Sequence, residues 1–142
     1  MFEYKPFIRK ANYYETDQMA IVHHSNYIRW MEEARVDLMD QIGFPLSRLE
    51  AEGIVIPVLM VEAEYKSMVK FDETVVIKIT TEKYDGVRLY LNYEISNKET
   101  GQIRTLCKSG HCFLNANGRP VSLKKVCPEI HEKFVSTLEL LK

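Results

Sequence analysis

An α+β fold, one long helix laid on an antiparallel sheet, is what the 142-residue sequence predicts. Two features carry the prediction. Apolar residues recur with a helical period over residues 26–42, and with a period of two along several segments after residue 58. Residues 2–14 are rich in aromatics and read as a first strand. In 26–42, Tyr27, Met31, Ala34, Leu38 and Ile42 recur at steps of four, three, four and four, and Trp30 widens the stripe. Glu32, Glu33, Arg35, Asp37 and Asp40 supply the polar side. Ser25 or Asn26 serves as N-cap and Gly43 as the stop. At 1.5 Å per residue such a helix is roughly 25 Å long, enough to cross a small sheet. Residues 45–52 read as a short second helix, started by Pro45 and ended by Gly53.

Strands follow. Alternation in 58–66 is clearest in Val61, Ala63 and Tyr65 against Glu62, Glu64 and Lys66, and 74–81 is β-branched almost throughout. Asp85-Gly86 signals a hairpin. Val87, Leu89, Leu91, Tyr93 and Ile95 then line one face of the next strand, with Arg88, Tyr90, Asn92 and Glu94 on the other. A turn at 97–101, a strand over 102–114 and a turn at Asn117-Gly118 come next. Residues 128–141 close with a helix whose stripe is Ile130, Phe134, Leu138 and Leu141. The length predicts one domain over 1–142. One long helix covers only one face of such a sheet and leaves its edges open, so a homo-oligomer is expected.

Composition excludes several classes. The chain is 46% apolar and 27% charged, with formal net charge −1. It lacks the basic excess that a phosphate backbone demands, so no nucleic-acid partner is expected. Residues 1–10 hold no apolar core of a secretory signal. The longest apolar run, 54–61, is interrupted by Pro57 and falls well short of the roughly 20 residues of a membrane span. The three cysteines, Cys107, Cys112 and Cys127, form no paired C-x-x-C knuckles, and zinc held with His111 or His131 is not expected. An odd count of that kind fits reduced thiols and a cytoplasmic location.

The chemistry concentrates before the long helix. Asp17 follows the first strand, and the helix start offers backbone N–H groups at His24, Ser25, Asn26 and Tyr27. These donors and the helix dipole hold developing negative charge. A carboxylate beside them acts as nucleophile or as general base for water, which together make an acyl-transfer site. Plainer readings stand beside this one. Asp17 forms a turn by bonding its own backbone, His24 caps or packs, and His111 fills a core or interface position on its strand. A metal held by Asp17, His23 and His24 lacks the helical H-x-x-x-H spacing. Ser25 lacks the G-x-S-x-G elbow, and Cys112 belongs to no Cys/His/acid pattern.

Residues 13–35, YYETDQMAIVHHSNYIRWMEEAR, closely resemble the 4-hydroxybenzoyl-CoA thioesterase-like branch of the hotdog-fold acyl-CoA thioesterases, nearest the Tol–Pal-associated and short acyl-CoA thioesterase group. The matching positions are Tyr13, Thr16, Asp17, Val22, His24, Asn26, Tyr27, Glu32, Ala34 and Arg35. The element order matches along nearly the whole chain, with a corner at Ser67, Met68 and Phe71-Asp72. The resemblance implies a hotdog fold, a long central helix wrapped by an antiparallel sheet, with subunits paired as dimers or tetramers and sites at their interface. It implies hydrolysis of an acyl-CoA or acyl-carrier-protein thioester without metal or cofactor. Asp17 matches the catalytic carboxylate. The main-chain N–H near His24 matches the carbonyl's donor, and the His24 side chain matches a histidine that orients water or substrate. Tyr13 falls at a site tyrosine, or Tyr14 if the register shifts by one. Asn26 and Tyr27 fall among substrate-binding positions. Lys66, Arg88 and Lys108 are candidate partners for the CoA phosphates. One departure is Ala20, where the family usually has glycine; its methyl would narrow the acyl pocket or alter the turn. A hotdog dehydratase or hydratase places its acid and histidine otherwise. A non-catalytic thioester-binding module would keep Asp17 only as a turn former.

Overall fold

The computed structural model describes residues 2–142. Five antiparallel strands make one sheet: β1 (Phe7–Lys10), β2 (Val58–Tyr65), β3 (Thr74–Tyr84), β4 (Arg88–Asn97) and β5 (Ile103–Cys112). Their spatial order is β1-β3-β4-β5-β2. The long helix α1 (Ser25–Ile42) and the short α2 (Leu46–Ala51) connect β1 to β2, and α3 (Leu123–Val126) and α4 (Pro128–Leu138) follow β5.

Period sets the packing. Tyr27, Met31, Ala34, Leu38 and Ile42 are all buried, as is Trp30. They join one cluster with Val75, Ile77 and Ile79 of β3 and Leu89, Leu91, Tyr93 and Ile95 of β4. Each fully buried aliphatic side chain in such a cluster contributes about 1.5–3 kcal/mol relative to exposure. Gly43 ends α1 in the left-handed conformation, φ 96°. The 128–141 stripe is buried as well, closing one end of the sheet through Ile130, Phe134, Leu138 and Leu141.

Several boundaries differ from expectation. The first strand is four residues rather than 2–14. Pro6, just before it, has no N–H for a ladder. At its other end the Glu15 carboxylate accepts the Asn12 N–H at 2.8 Å, and 13–15 wind into one 3-10 turn. β3 continues past Thr81 to Tyr84 through a register shift against β4. Val87 lies outside β4 and is exposed. The last helix stops at Leu138 and tightens into a 3-10 turn over Glu139–Leu141. The turn of helix at α3 is four residues long, too short to carry an apolar period in the sequence. At the start of α1 neither Ser25 nor Asn26 is the cap: His24 holds that position. The Nδ1 of His23 instead accepts the Ser25 N–H at 3.2 Å.

Candidate active site

Residues 15–23 form a small closed loop between β1 and α1. Thr16 bridges Val22 antiparallel. The Asp17 N–H donates to Ile21 O at 2.9 Å, and the His23 N–H donates to Glu15 O at 2.8 Å. Asp17 therefore sits at the tip side of the loop and His24 where the loop enters the helix. Two further contacts fasten the loop to the 67–72 corner: the Val22 N–H donates to Val69 O at 2.8 Å, and Ile21 bridges Lys70. Tyr13 packs edge-on against Phe71, with ring centroids 5.3 Å apart.

Asp17 is half-buried. Its Oδ1 accepts the Met19 N–H at 2.8 Å, the Asx bond of a turn former. No donor among the described residues reaches Oδ2. One oxygen of the carboxylate thus shapes the turn and the other is left without a donor. The helix start offers less than the sequence allowed. The Ser25 N–H is taken by His23, the Asn26 N–H by His23 O at 3.0 Å, and the Tyr27 N–H by His24 O at 3.4 Å. Among the described residues the His24 N–H alone of these four has no acceptor. The His24 ring is exposed and stacks on His23, centroids 4.1 Å apart.

Other expected positions are engaged within the chain. Asn26 is buried; its Nδ2–H donates to Glu15 O at 2.9 Å, and its Oδ1 accepts from Arg29 at 3.1 Å. Tyr27 is buried against Trp30 and Tyr65, and its hydroxyl accepts the Val69 N–H at 3.4 Å. Burial pushes the Tyr27 phenol up from its ordinary range. Both side chains brace the loop through these bonds. Lys66 lies at the loop's end of the sheet, exposed and paired with Glu64. Arg88 does not join it. Arg88 pairs with Cys112, whereas Tyr65, next to Lys66, pairs with Thr105. Seven residues of β5 separate those points, roughly 23 Å. Within one chain the two cations are at opposite ends of the sheet. Lys108 is paired with Glu82 at 2.8 Å.

Ala20 has φ 60°, the left-handed region that favours glycine. An L-residue there costs roughly 1 kcal/mol. Its carbonyl accepts the Phe71 N–H at 3.3 Å, so the strained turn is pinned to the corner. Ala20→Gly is expected to stabilise the fold by about 0.5–1 kcal/mol and Ala20→Val to destabilise it by more than about 1 kcal/mol. Urea unfolding midpoints check this; equal midpoints for all three would contradict it.

A cavity of about 310 Å³ opens beneath the same helix. Its walls are mostly apolar, with Ile28, Val36 and Met39 on α1, Val58 and Val61 on β2, and Leu89 and Leu91 on β4. His24, Ile28, Glu32 and Arg35 follow one another at helical spacing, so the cavity runs down the helix face that starts at His24. An open hollow of about 690 Å³ beside Pro6 and Gln41 shares no lining residue with the 15–24 loop.

Arg35 and His111 on the cavity wall are joined behind it by a buried polar chain that sequence reasoning missed. Arg35 Nη1–H donates to Tyr93 Oη at 3.1 Å. Tyr93 and Ser109 hydroxyls are 2.5 Å apart, Ser109 Oγ and His111 Nε2 2.7 Å, and His111 Nδ1 and Pro57 O 3.2 Å. A carbonyl only accepts, so Nδ1 carries the proton and Nε2 accepts from Ser109, which in turn accepts from Tyr93. Burial, and next the nearby Arg35 charge, push the His111 imidazole down from 6.5 to about 4. The available signal was polarity on a core face: Ser109 and His111 pair with Leu91 and Leu89 and so point inward with them. The three thiols are free. Burial pushes the Cys107 thiol up to about 12, which leaves it inert as a nucleophile.

Residues 12–134 match the thioesterase-like superfamily. YneP of Bacillus subtilis (strain 168), whose name marks it provisionally as an acyl-CoA thioesterase, is 33% identical over 126 residues, 88% of this chain and 91% of that one. A 1,4-dihydroxy-2-naphthoyl-CoA hydrolase of Prochlorococcus marinus is 25% identical over 133 residues, covering 89% and 85%. The crystal structure of a DHNA-CoA thioesterase from Staphylococcus aureus superposes with a TM-score of 0.89 and 32% identity, over 95% of this chain and 91% of that one. The chain belongs to the thioesterase-like superfamily, and its fold is the hotdog.

Proposed function

We propose that the protein hydrolyses an acyl-CoA thioester to the free acid and CoA thiol, with Asp17 supplying the attack and the His24 N–H holding the carbonyl oxygen. The observation that carries this reading is the pair of unpartnered groups at one loop, Asp17 Oδ2 and the His24 N–H. As general base, Asp17 takes a proton from water while the hydroxide adds to the carbonyl carbon. The oxygen's developing charge falls on the His24 N–H and the helix dipole behind it. When the C–S bond breaks, the proton held by Asp17 passes to the departing thiolate. As nucleophile, Asp17 would form a mixed anhydride that water then opens. The acyl group runs along the Ile28–Arg35 face into the cavity, where Glu32 and Arg35 beside apolar walls suit an aromatic ring bearing hydroxyls. The DHNA-CoA names among the relatives support that substrate class. The finer placement beside the Tol–Pal-associated group rests on the 13–35 motif alone.

Tyr13, exposed on Phe71, and the His24 ring flank the reacting carbonyl, and Lys66 meets the CoA phosphates. Copies of the chain pair through the free edge of β2, where Val58, Leu59 and Tyr65 are exposed, and light scattering should return a dimer or tetramer. Free thiols throughout support a reducing compartment. Among the described residues no helix is long and apolar enough to cross a membrane.

The test is thiol release from a panel of hydroxyaroyl-, aroyl- and alkanoyl-CoAs. Turnover is expected, with hydroxyaroyl-CoA preferred. Binding of the panel without thiol release would favour the binding-module reading, in which Asp17 only shapes its turn.

A further inference from the structure

The residue that holds the reacting loop in place is two positions before Asp17. Glu15 is 5% exposed, yet it is a carboxylate. Such burial is tolerated only when the oxygens are fully hydrogen-bonded. They are. Arg9 clamps it with both terminal nitrogens, Nη1 to Oε1 at 3.0 Å and Nη2 to Oε2 at 2.8 Å. The Asn12 N–H reaches Oε1 at 2.8 Å, and the indole Nε1–H of Trp30 reaches Oε2 at 2.8 Å. Arg9 is itself fixed by Glu33 of α1 at 2.7 Å and lies over the Trp30 ring, 5.4 Å from its centroid.

The main chain of the same residue is equally committed. Its carbonyl accepts both the His23 N–H and the Asn26 Nδ2–H, and its N–H donates to Asn12 O. Glu15 thus ties together β1 through Arg9, the middle of α1 through Trp30, the first turn of α1 through Asn26, and the loop's return leg through His23. Asp17 and the His24 N–H lie just outside the two ends of that knot, two residues along on one side and one on the other. A bidentate Arg–carboxylate pair gives directional rigidity as well as energy.

We propose that Glu15, clamped by Arg9 and Trp30, is the positioning residue that sets the distance between the Asp17 carboxylate and the His24 N–H. It touches no substrate. It acts by fixing the loop that carries the base relative to the helix end that carries the oxyanion donor. This inference rests on the hydrolytic reading of Asp17 and goes beyond it. Loss of the clamp leaves both reacting groups present but loosely placed, and such misplacement costs turnover more than affinity.

The test uses Glu15→Gln and Trp30→Phe, each alone and with Asp17→Asn, in thiol-release assays on the full chain. Glu15→Gln keeps the shape but loses the charge that matches Arg9, and Trp30→Phe removes one donor while keeping an aromatic ring in the core. Each single variant is expected to lower kcat about tenfold or more, with KM within about threefold. In the Asp17→Asn background neither is expected to lower the residual rate further, because a misplaced loop has no base left to misplace. A purely structural role would instead lower the melting temperature and leave kcat per folded molecule unchanged, or add its full loss to that of Asp17→Asn; either result overturns the proposal. If Glu15→Gln does not fold, the kcat of Trp30→Phe decides alone. Wild-type turnover in Asp17→Asn would sink the hydrolytic reading itself. A crippled Asp17→Asn beside undiminished Glu15→Gln and Trp30→Phe would sink only the positioning role.

Discussion

Asp17→Asn is expected to lower kcat for thioester hydrolysis by at least about 100-fold while leaving KM within a few fold. The substitution is nearly isosteric. Its Oδ1 can still accept the Met19 N–H, so the turn that Asp17 forms should survive. What disappears is the basic oxygen at Oδ2. An amide neither takes a proton from water nor forms an anhydride, so both mechanistic variants predict the same loss. A second consequence follows from the shared loop. Because the turn is intact, unfolding free energies of Asp17→Asn and wild type should agree within about 0.5 kcal/mol. A variant equally crippled and equally stable separates chemistry from folding. A variant that turns over normally moves the site elsewhere.

The second large effect concerns stability against pH. Burial pushes the His111 imidazole down to about 4 in the fold, from 6.5 in the unfolded chain. Between those values the unfolded chain binds a proton that the folded chain refuses, so stability rises with pH across the window. The contribution is complete above about pH 6.5 and is lost as pH falls through about 4. A gap of this size corresponds to about 3 kcal/mol at full extent. Of the groups that face the imidazole, Arg35 adds to the downward push and the Pro57 carbonyl on Nδ1 opposes it. Arg35 at the other end of the polar chain is cationic, and Ser109 and Tyr93 between them are neutral, while Glu32 also lines the cavity. The wild type is therefore expected to lose about 2–3 kcal/mol more than His111→Gln between about pH 7.5 and pH 4.5, read from urea unfolding at each pH. Parallel curves for the two proteins would show that His111 does not carry this dependence.

How much of this was legible in the sequence follows from the kind of interaction involved. The stripe Tyr27, Met31, Ala34, Leu38, Ile42 and the alternation Leu89, Leu91, Tyr93, Ile95 are local periods, and both ended in the core as read. Asp85-Gly86 and Gly43 likewise act over a few residues, and the hairpin and the helix stop are where they were expected. The boundaries that moved were decided by partners distant in sequence or by side chains reaching the backbone. The first strand ends early because Glu15 captures the Asn12 N–H. Asn26 reads locally as a cap, but His24 holds that position and the Asn26 amide turns back to a carbonyl eleven residues earlier. Arg88 and Lys66 were grouped because both lie on polar strand faces. Alternation fixes the face of a residue and says nothing of its height along the sheet, and register puts the two at opposite ends. Glu15 itself passed unremarked. In a one-dimensional reading it is one more acid beside a turn, and only the convergence of Arg9, Asn12 and Trp30 distinguishes it. The relay from Arg35 to His111 spans 76 positions of sequence, and only the strand pairing of β4 with β5 assembles it.

In the proposed mechanism one loop presents Asp17 and the His24 N–H to the same thioester carbonyl. The crystal structure of Asp17→Asn with an uncleaved acyl-CoA tests it directly. The carbonyl oxygen is expected within about 3 Å of the His24 nitrogen, with the substituted side chain at position 17 facing the carbonyl carbon directly or through one water, and the acyl group lying along Ile28 towards Arg35. A thioester carbonyl bound away from His24, with the side chain at position 17 turned only to its own backbone, would contradict it.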